Sequence, residues 1–274
     1  MMSDQTPAES SYTMGYGEEF LQLLDERSAQ THAARLLPHL KPGQRLLDFG
    51  CGPGTISVGL AKAVEPGEFH GIDMEESQIA IARSAAKAGG HANATFHVGD
   101  ATKLPFADDY FDVAFCHTVL THVPDTAAAL NEARRVLKPG GLIFSREIIV
   151  SSSFIEPGED KMRSAWNTFA MLLAGNGGHP EMGKELRTHF LAAGFIDVRG
   201  AASFDSFGTA QEVGFFCQFV LDWFIAPEIV EVATKHGLAT REQFDEWRNN
   251  LDEWKDLPGG LAALAFGECM ATSP

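Results

Sequence analysis

The sequence predicts a doubly wound α/β fold: a mostly parallel sheet of seven strands, helices on both faces, and helical insertions that cap it. Three observations carry that expectation. From Arg45 to about Ile149, short apolar runs alternate with amphipathic stretches, the pattern of parallel strands joined by crossover helices. Gly50, Gly52 and Gly54 directly follow the first apolar run. Asp48, Asp73 and Asp100 stand at the ends of the first three expected strands.

In chain order, residues 18–37 read as a helix that would cover a sheet edge. Strands follow at "RLLDF" (45–49), "EFHGI" (68–72), "ATFHV" (94–98), "FDVAFC" (111–116) and "GLIFSREIIV" (141–150). The segments between them, "PGTISVGLAKAV", "EESQIAIARSAAKAG" and "DTAAALNEARRVL", are helical by periodicity. Asp125 is the expected N-cap of the last, and Lys138 to Gly141 stop it. Beyond residue 150 the regularity breaks. "SSSFIEPGED" reads as a loop, 161–174 as a helix and "GNGGHP" as a second loop. "KELRTHFLAAGFIDVRGAASF" returns to helix and strand, with Gly194 as the C′ glycine. Residues 209–254 carry two or three helices rich in Phe and Trp, and "LAALAFGECMA" reads as a last strand. These pieces suit one domain over 1–274, with a core of 40–150, 182–206 and 261–272 and cap elements at 1–37, 151–181 and 208–258.

Lys and Arg total 21 against 37 Asp and Glu, a formal charge of −16. A nucleic acid would approach against that field, so a small molecule is the expected partner. Cys51, Cys116, Cys217 and Cys269 form no C-x-x-C pair, which fits reduced thiols in a cytoplasm rather than a zinc site or a disulfide framework. His117 and His122 are five residues apart, a spacing that does not align two imidazoles on a helix, so no metal is expected. The first residues are polar and acidic, and no apolar run has membrane-spanning length, which points to a cytoplasmic protein without a membrane partner.

Glycines after a first strand let the backbone turn sharply and approach a ligand, while the following helix start offers free N–H groups. The spacing here is G-x-G-x-G with Thr55 next, which departs from the dinucleotide G-x-G-x-x-G. A carboxylate at Asp73 suits both ribose hydroxyls, and Asp100 stands where an adenine edge would lie. Three acidic strand ends disfavour a pyrophosphate and suit a cationic ligand.

"LLDFGCGPGTIS", "GIDMEESQIAIAR", "VGDATKLPFADDYFDVAFCHTVLTHVPD" and "ALNEARRVLKPGGLIF" resemble, in order and spacing, the class I S-adenosylmethionine-dependent methyltransferases. The likeness is to the branch similar to ubiquinone and menaquinone C-methyltransferases, the methyltransferase type 11 domain. It implies a Rossmann-like seven-stranded sheet whose last strand is antiparallel, and S-adenosyl-L-methionine as cofactor, leaving S-adenosyl-L-homocysteine. It implies that Asp48, Gly50, Gly52 and Gly54 surround the methionine part, that Asp73 holds the ribose, and that Cys51, Met74 and Gly99 also belong to the cofactor site. It further implies that Asp100 and Ala101 meet the adenine, that Cys116 and His117 line the floor near the sulfonium, and that Tyr12 and Tyr16 fold over as a lid.

Methyl transfer from a sulfonium is an in-line displacement that needs no metal; a weakly acidic oxygen or carbon acceptor also needs a base. Candidates are His117, Glu147, Glu156 and His179, with His117 and Glu147 foremost. No [DNS]-P-P-[YFW] follows the fourth strand, where the chain has "CHTV", so the expected acceptor is an apolar or aromatic small molecule methylated on O, N or C. Two other readings stand beside this one: an NAD(P)-dependent oxidoreductase of related fold, and a cofactor-binding protein without methyl transfer.

Overall fold

The computed structural model describes residues 27–274. Tyr12, Tyr16 and the first part of the helix expected over 18–37 lie outside the described residues. Strands β1 (Leu46–Phe49), β2 (Phe69–Asp73), β3 (Ala94–Val98), β4 (Phe111–His117) and β5 (Leu137–Ile148) run parallel in the order β3-β2-β1-β4-β5. β6 (Phe154–Glu156), β7 (Ile196–Phe207) and β8 (Leu261–Thr272) complete the sheet. β8 lies antiparallel beside β5 and β7 antiparallel beside β8.

β6 is an addition to the expected seven strands, set within the stretch that reads as a loop. β5 occupies β8 from Phe266 to Thr272, and β6 takes the overhang, pairing Phe154 with Ala263 and Glu156 with Leu261. A three-residue strand that depends on a partner more than 100 positions away leaves no local alternation to read.

Helices α1 (Ala29–His32), α2 (Ser57–Val64), α3 (Glu76–Ala88), α4 (Thr126–Val136), α5 (Glu159–Gly175), α6 (Met182–Ala192), α7 (Ala210–Phe219), α8 (Pro227–Lys235) and α9 (Arg241–Trp254) surround the sheet. Asp125 caps α4 by accepting from the Ala128 N–H at 2.9 Å, and Gly194 has φ +84° after α6, both as expected. Strand side chains alternate between faces. Leu46, Val113, Phe115 and Phe144 pack with Leu60 of α2 and Ile79 of α3. Leu47, Ala114, Cys116 and Ile143 pack with Leu130 of α4 and Leu186 and Phe190 of α6. A third cluster joins Trp166 of α5 to Phe216, Phe224, Phe244, Trp247 and Trp254, over Val150 and Ala262.

The described end of the N-terminal segment covers a sheet face rather than an edge: Ala29, Ala33 and Leu36 are buried in the α2 and α3 layer. Two polar contacts tie it down, His32 Nε2 lying 3.4 Å from Asp205 and the Arg35 Nε ion-paired at 3.1 Å with Glu268. Among the described residues no single helix is long and apolar enough to cross a membrane. β1 pairs with both β2 and β4, so the strand order reverses there, the position where sheets of this kind bind ligands beyond their strand ends.

Candidate functional site

After β1 the chain turns back over β2, the Gly50 and Cys51 N–H groups donating to the Ile72 carbonyl at 2.7 and 3.0 Å. Gly50, Gly52 and Gly54 all take positive φ, +76°, +52° and +83°, a region that side chains disfavour. Their surroundings differ. A Cβ on Gly50 would lie 2.2 Å from Val119 Cγ2, and one on Gly54 2.9 Å from Ala82 Cβ of α3, whereas a Cβ on Gly52 would meet nothing within 4 Å. Gly50 and Gly54 therefore permit close packing, and Gly52 leaves space for something else.

That space is a cavity of about 480 Å³ at the strand-order reversal, within the usual range for small-molecule sites. Asp48, Gly50, Cys51, Gly52, Asp73, Met74, Gly99, Asp100, Ala101 and His117 line it. Asp73 accepts from the Gly52 N–H at 2.9 Å and from the Glu75 N–H at 3.0 Å, which fixes the glycine turn to the end of β2. Burial pushes its carboxyl above the usual range. Asp48 accepts from the Ser57 hydroxyl at 2.6 Å. Burial pushes the Asp48 carboxyl up to about 7, with Ser57 opposing and the Asp73 charge adding to the rise.

The folded state thus keeps a proton on Asp48 that the unfolded chain has released, between 3.8 and about 7. Stability from this group is greatest below that window and declines as pH rises through it. Asp48→Asn is expected to flatten the decline in urea unfolding of the unliganded protein across the window; an unchanged slope would contradict the assignment.

His117, buried in the same wall, bonds through Nδ1 to the Arg146 carbonyl at 3.0 Å. A carbonyl only accepts, so Nδ1 carries the proton and Nε2 the lone pair. Nε2 is buried without a partner. Burial first, then the Arg27, Arg146 and His32 charges, hold this imidazole well below its ordinary pKa, hence neutral near pH 7.

Three predicted residues fall elsewhere. Gly54 packs against α3 and does not line the cavity. Cys116 faces the opposite side of β4 from Phe115 and His117, because side chains alternate along a strand; its thiol donates to Ser145 Oγ at 3.2 Å. Glu147 is fully buried on that same opposite side. Its Oε1 accepts from the Val119 and Leu120 N–H groups, both at 3.1 Å, and its Oε2 from the Thr121 N–H and hydroxyl at 3.0 and 2.7 Å. Ser145 Oγ donates to Oε1 at 3.1 Å. Glu147 therefore shapes the turn after β4 and is no free base. The other base candidates, Glu156 and His179, do not line this cavity.

Sequence reasoning missed Thr118, Val119, Leu173, Asn176 and Gly178, which also line the cavity, and left His122 to its loop. Thr118 has φ +53°, an outlier for a β-branched residue. It is held by its N–H donating to the Arg146 carbonyl at 2.9 Å and its hydroxyl to the His117 carbonyl at 2.7 Å.

Residues 40–194, more than half of the chain, match the methyltransferase domain family. The chain belongs to that family. It is 34% identical over 196 residues to an uncharacterized methyltransferase of Schizosaccharomyces pombe, covering 66% of this chain and 70% of that one. It is 33% identical over 190 residues to a demethylmenaquinone methyltransferase of Staphylococcus aureus, covering 64% and 77%. The chain spans about half the length of other curated relatives that it matches. A SAM-dependent methyltransferase structure from Aquifex aeolicus superposes with TM-score 0.55 at 16% identity over 95% of this chain and 100% of that one, a likeness of fold. The oxidoreductase reading gives way to this family.

Against the methyltransferase core lies a second, smaller cavity of about 70 Å³, bounded by Trp166, Phe169, Phe219, Val220, Trp223 and Phe224. Arg27, Thr118, His122 and Leu173 line both cavities and mark where they meet. Part of the aromatic wall comes from a π-helical turn, Val220–Phe224, that continues α7. Such turns are often found at functional sites. They follow from tertiary packing rather than from a sequence period. Phe219, Val220, Trp223, Phe224 and Leu264 lie beyond the matched stretch, whereas Trp166 and Phe169 lie within it, so the family match covers only part of this wall.

Proposed function

We propose that the larger cavity holds S-adenosylmethionine and that the protein transfers its methyl group to a small apolar acceptor placed against the aromatic wall. The observation that carries this reading is the cradle itself: Asp48, Asp73 and Asp100 face a cavity into which the Gly52 position opens. Carboxylates so gathered favour a ligand bearing positive charge and disfavour a pyrophosphate. Asp73 would hold the ribose with Met74 beside it, Gly99, Asp100 and Ala101 would border the adenine, and Asp48, Gly50, Cys51 and Gly52 would enclose the methionine part. In this reading residues 40–150, 182–206 and 261–272 form the core, and 151–181 and 208–258 the cap that selects the acceptor.

The cofactor, when bound, supplies a methyl group activated on a sulfonium. The protein aligns the acceptor and excludes water, the work of the aromatic wall and the turn at Thr118 and Val119. His117, whose neutral imidazole keeps the lone pair on Nε2, is the candidate base for the acceptor's proton. Glu147 is a positioning residue that acts through the turn it holds.

Incubation with methyl-labelled S-adenosylmethionine and a panel of small apolar phenols, amines and carbon acids, read by mass spectrometry, tests transfer separately from binding. Labelled product is expected; tight cofactor binding without any transfer would favour the binding-protein reading. Asp73→Ala is expected to weaken S-adenosylhomocysteine by about 1.5–3 kcal/mol, the scale of a lost charged hydrogen-bonding group. Unchanged affinity in calorimetry would remove the ribose assignment.

A further inference from the structure

The smaller cavity is walled mainly by carbon. Trp223 stacks on Phe219 with ring centroids 5.2 Å apart, and Phe169 meets Trp223 and Phe224 edge to face at 5.0 and 5.6 Å. The π-helical turn gathers one side of this wall. The Ile225 N–H donates to the Val220 carbonyl five positions back, at 3.0 Å, so residues five apart stand nearly above one another. Phe219 and Phe224 accordingly line the same cavity, and the buried Val220 lines it with them.

The polar side chains around this cavity are engaged elsewhere. Thr121 donates to Glu147 at 2.7 Å, and the Thr118 hydroxyl to the His117 carbonyl at 2.7 Å. Ser153 donates to the Ile149 carbonyl at 3.1 Å and accepts from the Ala265 N–H at 3.0 Å. Arg27 is held as well, its Nη1 lying 3.4 Å from Thr118 Oγ1. The Trp166 N–H and His122 Nδ1 are buried away from the cavity surface. A polar group entering here would give up water without replacement. Clustered rings alone would attract an ammonium. Among the described residues, however, no acidic side chain lines this cavity and the Arg27 guanidinium does, which repels a cation. The occupant that suits the wall is a neutral hydrocarbon. A volume of about 70 Å³ is roughly half of the ~150 Å³ that holds benzene, so it encloses about three carbons.

We propose that the acceptor is a neutral molecule bearing a short hydrocarbon branch, about three carbons long, which the smaller cavity encloses, and that Val220 sets how long that branch can be. The rest of the acceptor then lies in the larger cavity, beyond the seam that Thr118 and Leu173 share. The proposal rests on the cofactor reading for the word acceptor; the hydrocarbon subsite rests on the lining of the smaller cavity.

Calorimetric titration with 4-alkylphenols from methyl to hexyl, neutral near pH 7, with and without saturating S-adenosylhomocysteine, tests it. Affinity is expected to rise about fourfold per methylene as far as the propyl member and then to level off or fall. Val220→Ala should move that optimum to a longer chain and Val220→Ile to a shorter one, whereas a merely structural loss would weaken the whole series without moving it. 4-tert-Butylphenol should bind about tenfold or more tightly than (4-hydroxyphenyl)trimethylammonium, which has the same shape and a positive charge. If the optimum appears and moves with Val220 while S-adenosylhomocysteine fails to bind, the subsite stands and the cofactor reading falls. If S-adenosylhomocysteine binds but affinity is indifferent to chain length, rises without limit through hexyl, favours the ammonium, or is absent for the whole series, the proposal is overturned and the cofactor reading stands.

Discussion

Glu147→Ala is expected to cost about 3 kcal/mol or more of stability, the scale of several buried donors each losing its acceptor at about 1–3 kcal/mol. The carboxylate takes hydrogen bonds from three successive backbone N–H groups, at Val119, Leu120 and Thr121, and from the Thr121 and Ser145 hydroxyls. Alanine would leave those donors buried without acceptors, and each unsatisfied group carries its own desolvation penalty. For a chain of this size the melting temperature should fall on the order of 10 °C. The same turn places Val119 against Gly50 and sets Thr118 in the wall, so cofactor affinity should fall with stability. Glu147→Gln, which keeps the shape but presents an NH2 to donors, should recover only part of the loss. Thermal unfolding and urea titration of the two variants check this; a loss below about 1 kcal/mol for alanine would mean that the turn stands without the carboxylate.

The second large effect is expected at Gly52. Valine there should eliminate binding of S-adenosylhomocysteine while the protein remains folded. The added side chain meets no protein atom within 4 Å of its Cβ position, so its bulk enters the cavity rather than the core. Its backbone, at φ +52°, is strained by about 1–3 kcal/mol. Gly52→Asn separates the two causes, since asparagine tolerates the left-handed region. It should restore most of the stability yet still block the ligand. Circular dichroism melts and calorimetry on both variants decide the matter: an unfolded valine variant with normal binding by asparagine would make Gly52 a turn residue and nothing more.

The first five strands were legible because each is a short apolar run between turn signals, and their ends followed with them. Asp48, Asp73 and Asp100 could accordingly be placed on one edge of the sheet and do line one cavity. What strand ends do not reveal is the face. Cys116 sits between Phe115 and His117, and alternation alone would have turned it away from the cavity. Glu147 stands one residue beyond Arg146, which pairs in register with His117, and so belongs to the opposite face. The left-handed Thr118 and the π-helical turn at Val220–Phe224 are imposed by non-local contacts, and a window of sequence does not contain them. Arg27 reads as an unremarkable basic residue until α1 and the seam between the cavities are in place.

The most direct measurement is calorimetric titration of the purified protein with S-adenosylmethionine and S-adenosylhomocysteine, with NAD and NADP as controls. Saturable binding of the two sulfur nucleosides alone, with Kd on the order of micromolar and weakened by Asp73→Ala, is the predicted result. Binding of a nicotinamide cofactor in their place, or no binding of either class, would contradict the assignment of the acidic, glycine-lined cavity.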